Sequence, residues 1–156
     1  MTMASSAVSE LVLFIVSLLV AGTIAGGLYY ITQDLSDGIT VKGKSVSTTL
    51  RTDFEIINDP ESIPLESGNY IFYVRNIGKT SFVFTSDSVV VMVDGEIIPP
   101  ANLTFTNLDN SSLTELRPYD VGQITVPSAF ISSPGYHRLT VVLDNGKERS
   151  MVFEVG

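Results

Sequence analysis

One histidine, no cysteine and 17 acidic side chains set what chemistry 156 residues could perform. His137 stands beside the turn Ser133-Pro134-Gly135, on the strand face it shares with Leu139, Val141 and Leu143. A general base needs a nucleophile to activate, and no Gly-x-Ser-x-Gly elbow accompanies this histidine. Its expected place is the half-buried rim of a sheet. The lack of cysteine excludes thiolate catalysis, a disulfide framework and cysteine-ligated zinc or iron–sulfur. A single histidine leaves only all-oxygen metal sites, and no Asp-x-Asp-x-Asp-Gly calcium loop is present. Asp109, Glu115 and Asp120 bracket a polar loop that reads as a solvated acidic surface before it reads as a calcium site. Gly22, Gly26 and Gly27 lie within an apolar run and form no nucleotide loop. No cofactor, no resident metal and no enzymatic activity are expected.

Charge narrows the partners. With 9 Lys+Arg against 17 Asp+Glu the net charge is −8, and nucleic-acid binding needs a basic stripe instead. The same acidity argues against adhesion to anionic lipid by charge alone. Binding to other proteins is what remains.

The element that organises the chain is Leu11 to Gln33. Between Glu10 and Asp34 no side chain ionises except Tyr29 and Tyr30. As a helix this stretch reaches roughly 34 Å, enough for a bilayer core of about 30 Å. The tyrosines fall near its far end, where aromatic belts form. A cleaved secretory signal fits poorly, because no Lys or Arg precedes Lys42. The expectation is therefore a short segment over 1–10, a transmembrane helix over 11–33, a polar connector over 34–38 and a β-domain over 39–156. Glu10 sits at the helix entrance, where the N-terminal dipole favours a carboxylate. Ser17, Ala21, Gly22, Ala25 and Gly26 supply small residues at helical spacing, with Gly22 and Gly26 forming Gly-x-x-x-Gly. Such a stripe lets two helix backbones approach closely in lipid, so self- or partner association is expected along it.

Past residue 39 the period changes from helical to alternating. Thr40 to Arg51 is rich in Thr, Ser and Val and reads as a strand. Tyr70 to Val74 is the strongest strand, with Tyr70, Phe72 and Val74 on one face. Asp94-Gly95 and Asn145-Gly146 have the composition of tight hairpin turns. Eight or nine short strands without helical periodicity predict an all-β antiparallel immunoglobulin-like sandwich, with an up-and-down barrel as the alternative. The expected core is Phe54, Ile56, Phe72, Val74, Phe82, Phe84, Val91, Val93, Leu139, Val141, Leu143, Met151 and Phe153.

The run Val89, Val90, Val91, Met92, Val93 is apolar on both faces. If Val89, Val91 and Val93 point inward, Val90 and Met92 occupy the face that ought to be wet. Either the prolyl segment Ile98 to Asn102 covers them, or the run lines a protein interface. Asn102-Leu-Thr and Asn110-Ser-Ser are candidate N-glycosylation sites, which would place the domain outside the cell. Lys42 and Lys44, counted by the positive-inside rule, would place it in the cytoplasm. Composition leaves that orientation open.

The block Ala4-Ser5-Ser6-Ala7-Val8-Ser9-Glu10-Leu11-Val12-Leu13-Phe14-Ile15-Val16 resembles the start of archaeal flagellin-related proteins. Their pattern is one type IV pilin-like helix followed by a β-sandwich. Within that group the whole architecture is most similar to the archaellum accessory proteins F and G, the G type before the F type. Asn76-x-Gly78 after an aromatic strand, and the closing Asp144-Asn145-Gly146, fit the same group less specifically. The resemblance implies a membrane-anchored stator component with its sandwich outside the cytoplasm. It also implies accessory protein F, a surface-layer protein or motor components as partners, in a self- or hetero-oligomer. The alternative within the group is a pilin-like filament subunit. Glu10 is fifth counted from Ser6, as in many pilins. Met1 to Ser5, however, is short and uncharged where a processed pilin carries a basic leader, so a retained anchor is expected.

Replacing both Gly22 and Gly26 by Ile is expected to reduce the assembly size of the detergent-solubilised chain, measured by light scattering. An unchanged size dismisses the stripe as a helix contact.

Overall fold

The computed structural model describes residues 2–131 and 133–156, with side chains from Ser5 onward. A helix, α1 (Thr2–Arg51), opens the chain and runs for 50 residues. No proline interrupts it, the first being Pro60. Hydroxyls along its apolar part bond back to their own helix: Ser17 to the Phe14 carbonyl, Thr23 to Val20 and Thr32 to Leu28, at 2.8–2.9 Å. Most of the helix, through Val46, forms a unit apart from the rest of the chain.

The helix corrects three expectations. The segment over 1–10 is helical as far as it is described, Met1 lying outside the described residues. There is no connector over 34–38, and Thr40 to Arg51 is helix instead of strand, Lys42 and Lys44 included. The β-domain thus starts near residue 54 and not at 39. Helix growth from an existing turn adds one hydrogen bond per residue, whereas each Thr, Ser or Val costs only a few tenths of a kcal/mol. The period-2 reading also overlooked Leu35, Ile39, Val46 and Leu50, whose spacing of four, seven and four is helical.

The last helical turn is built into the sandwich. Backbone N–H groups of a turn at residues 76–79 satisfy carbonyls that the helix end leaves open. Lys79 donates to the Arg51 carbonyl at 2.8 Å, and Ile77 and Gly78 donate to Asp53 at 3.1 and 3.0 Å. Buried Thr52 donates its hydroxyl to the Thr48 carbonyl and meets the Thr80 hydroxyl at 3.0 Å. The fully buried Asn76 side chain holds the turn, donating to the Thr80 and Leu116 carbonyls and accepting from the Gly78 N–H. On the far side the Asp53 carboxylate accepts from Arg149 at 2.8 and 3.1 Å.

Among the described residues eleven strands follow: β1 (Phe54–Ile56), β2 (Leu65–Glu66), β3 (Asn69–Asn76), β4 (Phe82–Val83), β5 (Val90–Val93), β6 (Glu96–Ile97), β7 (Thr104–Asn107), β8 (Glu115–Leu116), β9 (Val121–Pro127), β10 (Gly135–Val142) and β11 (Glu148–Val155). One sheet runs β1-β3-β9-β7 with β2 added to β3, the other β11-β10-β5-β6, and β4 pairs with β8 alone. All pairings are antiparallel. That is the immunoglobulin strand order, A-B-E-D against G-F-C-C′. Both large sheets have free ends, so the barrel alternative falls. The expected hairpins form, with Asp94 and Gly95 both at positive φ (53° and 86°) and Gly146 at 80° closing a three-residue loop.

The expected core residues are all buried except Ile56 and Met151, which pack partly buried against it. No Cys–Trp–Cys centre exists. An edge-to-face aromatic row replaces it: Phe82–Phe84 at 6.3 Å and Phe84–Phe105 at 4.9 Å between ring centroids. Gly122 makes room for this row, because a Cβ there would lie 2.4 Å from Phe84.

A Cβ on Gly78 would lie 2.5 Å from both the Arg51 carbonyl oxygen and the Asp53 nitrogen. Gly78→Ala is therefore expected to cost about 1–3 kcal/mol of sandwich stability, measured by urea unfolding of the full chain.

Candidate interaction surfaces

The apolar part of α1 is long and hydrophobic enough to cross a membrane by length and composition. Its side chains find no cover within the chain: Leu19 and Ile24 are 64% and 58% exposed. Ser17, Ala21, Gly22, Ala25 and Gly26 all lie in this part. A Cβ built on Gly22 or Gly26 meets nothing within 4 Å, so the fold of one chain gives no reason for glycine at either place. The Ser17 hydroxyl donates its proton to the Phe14 carbonyl of its own helix.

In β5 the alternation resolves the apolar run. Val89, Val91 and Val93 are core, so they cannot line an interface; the five-residue candidate reduces to Val90 and Met92. The reason is the strand's period of two beneath an opposing sheet. The prolyl segment does not cover the outer positions. Ile98 turns into the core, Pro99 to Asn102 are exposed, and Val90 is 42% exposed.

The register shows what adjoins them. Met92 pairs with Ile97 of β6 and Thr140 of β10, and Val90 pairs with Val142. One strand further, Val152 of β11 pairs with Arg138. Cross-strand partners share a face, so Val90, Met92, Ile97, Val142 and Val152 lie on the outer face of one sheet. Ile97 is 60% and Val152 48% exposed. Alternation within β10 and β11 marked their outward residues. Only the pairing register sets Ile97 and Val142 beside Met92 and Val90, with Val152 two strands away beyond Arg138 and Thr140, and sequence reasoning missed all three for that reason.

The remaining candidates fall elsewhere. Asn102 ends a short 3-10 turn and Asn110 lies in an exposed turn, and both, like the hydroxyl residues Thr104 and Ser112, are open to solvent. Asp109 and Asp120 border one shallow concavity without Glu115. No group of three His, Cys, Asp or Glu side chains converges among the described residues. His137 is buried, not half-buried, with its ring against Phe153. Its Nδ1 lies 2.6 Å from Asp94 Oδ2 and its Nε2 lies 2.8 Å from the Ser133 carbonyl oxygen. The Asp94 contact raises the histidine above its ordinary value, with help from Ser133, against the opposing effect of burial. Asp94 is held below the usual carboxylate range, first by His137 and then by the Arg138 N–H. The pair borders an open concavity of about 580 Å³ that Gly95, Tyr136, Arg138, Thr140 and Val152 also line. Both ring nitrogens already face Asp94 and Ser133 and are not turned to a nucleophile.

The model of archaeal-type flagellin matches residues 4–153. A putative flagella-related protein G of Methanocaldococcus jannaschii is 41% identical over 150 residues, covering 94% of each chain. A second, from Methanococcus voltae, is 32% identical over 154 residues, covering 98% of this chain and 99% of its own. Neither name is that of an enzyme. Among solved structures, the archaellum periplasmic stator protein complex of FlaF and FlaG from Sulfolobus acidocaldarius has a similar chain. It is 21% identical, with a TM-score of 0.43 over 64% of this chain and 87% of that one.

Val90→Lys is expected to change stability by less than about 1 kcal/mol, whereas Val91→Lys buries an unpaired charge and unfolds the domain. Urea unfolding of the two variants checks this assignment of faces.

Proposed function

The chain belongs to the archaeal-type flagellin family, and on that premise we propose that it is a membrane-anchored stator component of the archaellum. In this reading α1 crosses the cytoplasmic membrane once through Leu11 to Gln33. The sandwich lies outside and grips accessory protein F together with the envelope, through surface-layer protein or motor components. The observation that carries the reading is the pairing of two uncovered apolar surfaces, the helix and the outer sheet face around Val90 and Met92, in a chain without a catalytic cluster among its described residues. The two relatives named flagella-related protein G align over nearly the whole chain, helix and sandwich alike, and support it.

The mechanism is mechanical. A single helix turns freely in a fluid bilayer, so a static part needs a second attachment. The Gly22/Gly26 stripe offers one within lipid, and the face of Val90 and Met92 offers one outside it. An antiparallel sandwich suits a load of this kind, because shearing its strands apart breaks many hydrogen bonds together. With the sandwich outside, Asn102 and Asn110 are placed for glycosylation.

The name of the matching family favours a second reading, a pilin-like filament subunit. Intact mass of the native protein separates the two. A full N-terminus supports the anchor, and loss of the first few residues supports the filament. Because the chain has no cysteine, Asn110→Cys provides one reporter. A membrane-impermeant maleimide is expected to label it on intact cells. Labelling only after the membrane is opened would overturn the proposed topology.

A further inference from the structure

Both ring nitrogens of His137 face acceptors. The Ser133 carbonyl oxygen opposite Nε2 has no proton to give. Neither has Asp94 opposite Nδ1 when ionised, and its surroundings select that form. Its side chain is 51% exposed, and its second oxygen accepts the Arg138 N–H at 2.8 Å. A neutral imidazole carries one N–H, so one nitrogen would confront oxygen lone pairs at hydrogen-bond distance. Only the imidazolium satisfies both contacts.

From this geometry we infer that His137 is a buried cation stapling the β5–β6 turn to the loop that precedes β10, and that alkaline pH opens the staple. Asp94 comes from that turn, at a positive φ of 53°, and Ser133 from that loop. The groups around the ring are few. Asp94 faces it from the turn as a negative charge. β11 contributes the uncharged ring of Phe153, at 5.8 Å between centroids. On β10 itself Arg138 is adjacent, and its charge also acts on Asp94.

The pH window follows from the directions of the two shifts. His137 is raised above 6.5, so its contribution is complete below that value and disappears as pH rises through its higher folded value. Asp94 is lowered below 3.8, so its contribution is complete above that value and disappears as pH falls through its lower folded value. The staple therefore holds between these two ordinary values and fails first on the alkaline side. What loosens there is the link from the β5–β6 turn to the Ser133 loop, while the Asp94–Arg138 backbone contacts keep the turn on β10.

Because this is the chain's single histidine, histidine-selective 13C labelling of the full-length protein in micelles yields one ring to titrate. Its midpoint is expected above the ordinary histidine value of about 6.5, and the urea midpoint is expected to fall across the same titration. In Asp94→Asn, which tolerates the left-handed turn position, the ring midpoint should drop to the ordinary value or lower and the alkaline loss should disappear. A wild-type midpoint at or below about 6.5 overturns the inference. So does an alkaline loss that persists unchanged in the variant. If Asp94→Asn does not fold, the wild-type titration decides alone.

Discussion

Apolar surface must leave water, and this chain meets that constraint in two different ways. Along the strands every second side chain turns inward, and two sheets cover one another's inner faces. Along α1 nothing in the chain covers the side chains of Leu11 to Ile31. A helix satisfies its own backbone polar groups, so it can offer an apolar exterior to lipid at no cost in unpaired hydrogen bonds. The back-bonded hydroxyls of Ser17, Thr23 and Thr32 extend that economy to the side chains. Everything else follows from the separation: a segment suited to hydrocarbon, and a module whose core is complete without it.

The passage from helix to sandwich shows how backbone accounting shapes a fold. A helix end leaves carbonyls unpaired. Here a tight turn, and not solvent, supplies their partners, and it approaches so closely that residue 78 has no room for a side chain. Asn76 then secures the turn from beneath with every polar atom engaged. The ion pair of Asp53 with Arg149 closes the other side and ties the first strand to the last. Residues scattered over a hundred positions meet at this one point.

The same logic bears on function. The single histidine borders a concavity, but both its ring nitrogens are engaged by Asp94 and Ser133. The buried histidine, the group most easily mistaken for catalytic, is explained by two acceptors that need its charge. What the sandwich does present is a sheet face where Val90, Ile97 and Val152 stay in water. An exposed apolar face of this kind, together with an uncovered helix, is what the proposed attachment would use.

Much of this was legible in the residues alone. The apolar run of 23 residues, the alternation of Tyr70 to Val74, the Asp94-Gly95 and Asn145-Gly146 turns and most of the core depend on local patterns with a single physical reading. So did the exclusion of thiol chemistry, which needs only a count. The boundary near residue 54 was not legible, because helix growth past Asp34 overrode residues that favour strands by composition. Nor were the outer sheet face, the Phe84–Gly122 contact, the burial of Val89 at the edge of an apolar run, and the Asp94–His137 pair. The Phe84–Gly122, Asp94–His137 and Val90–Val142 contacts join residues 38, 43 and 52 positions apart. Such contacts are set by strand order and register, and those are decided only when two whole sheets bury their inner faces against each other.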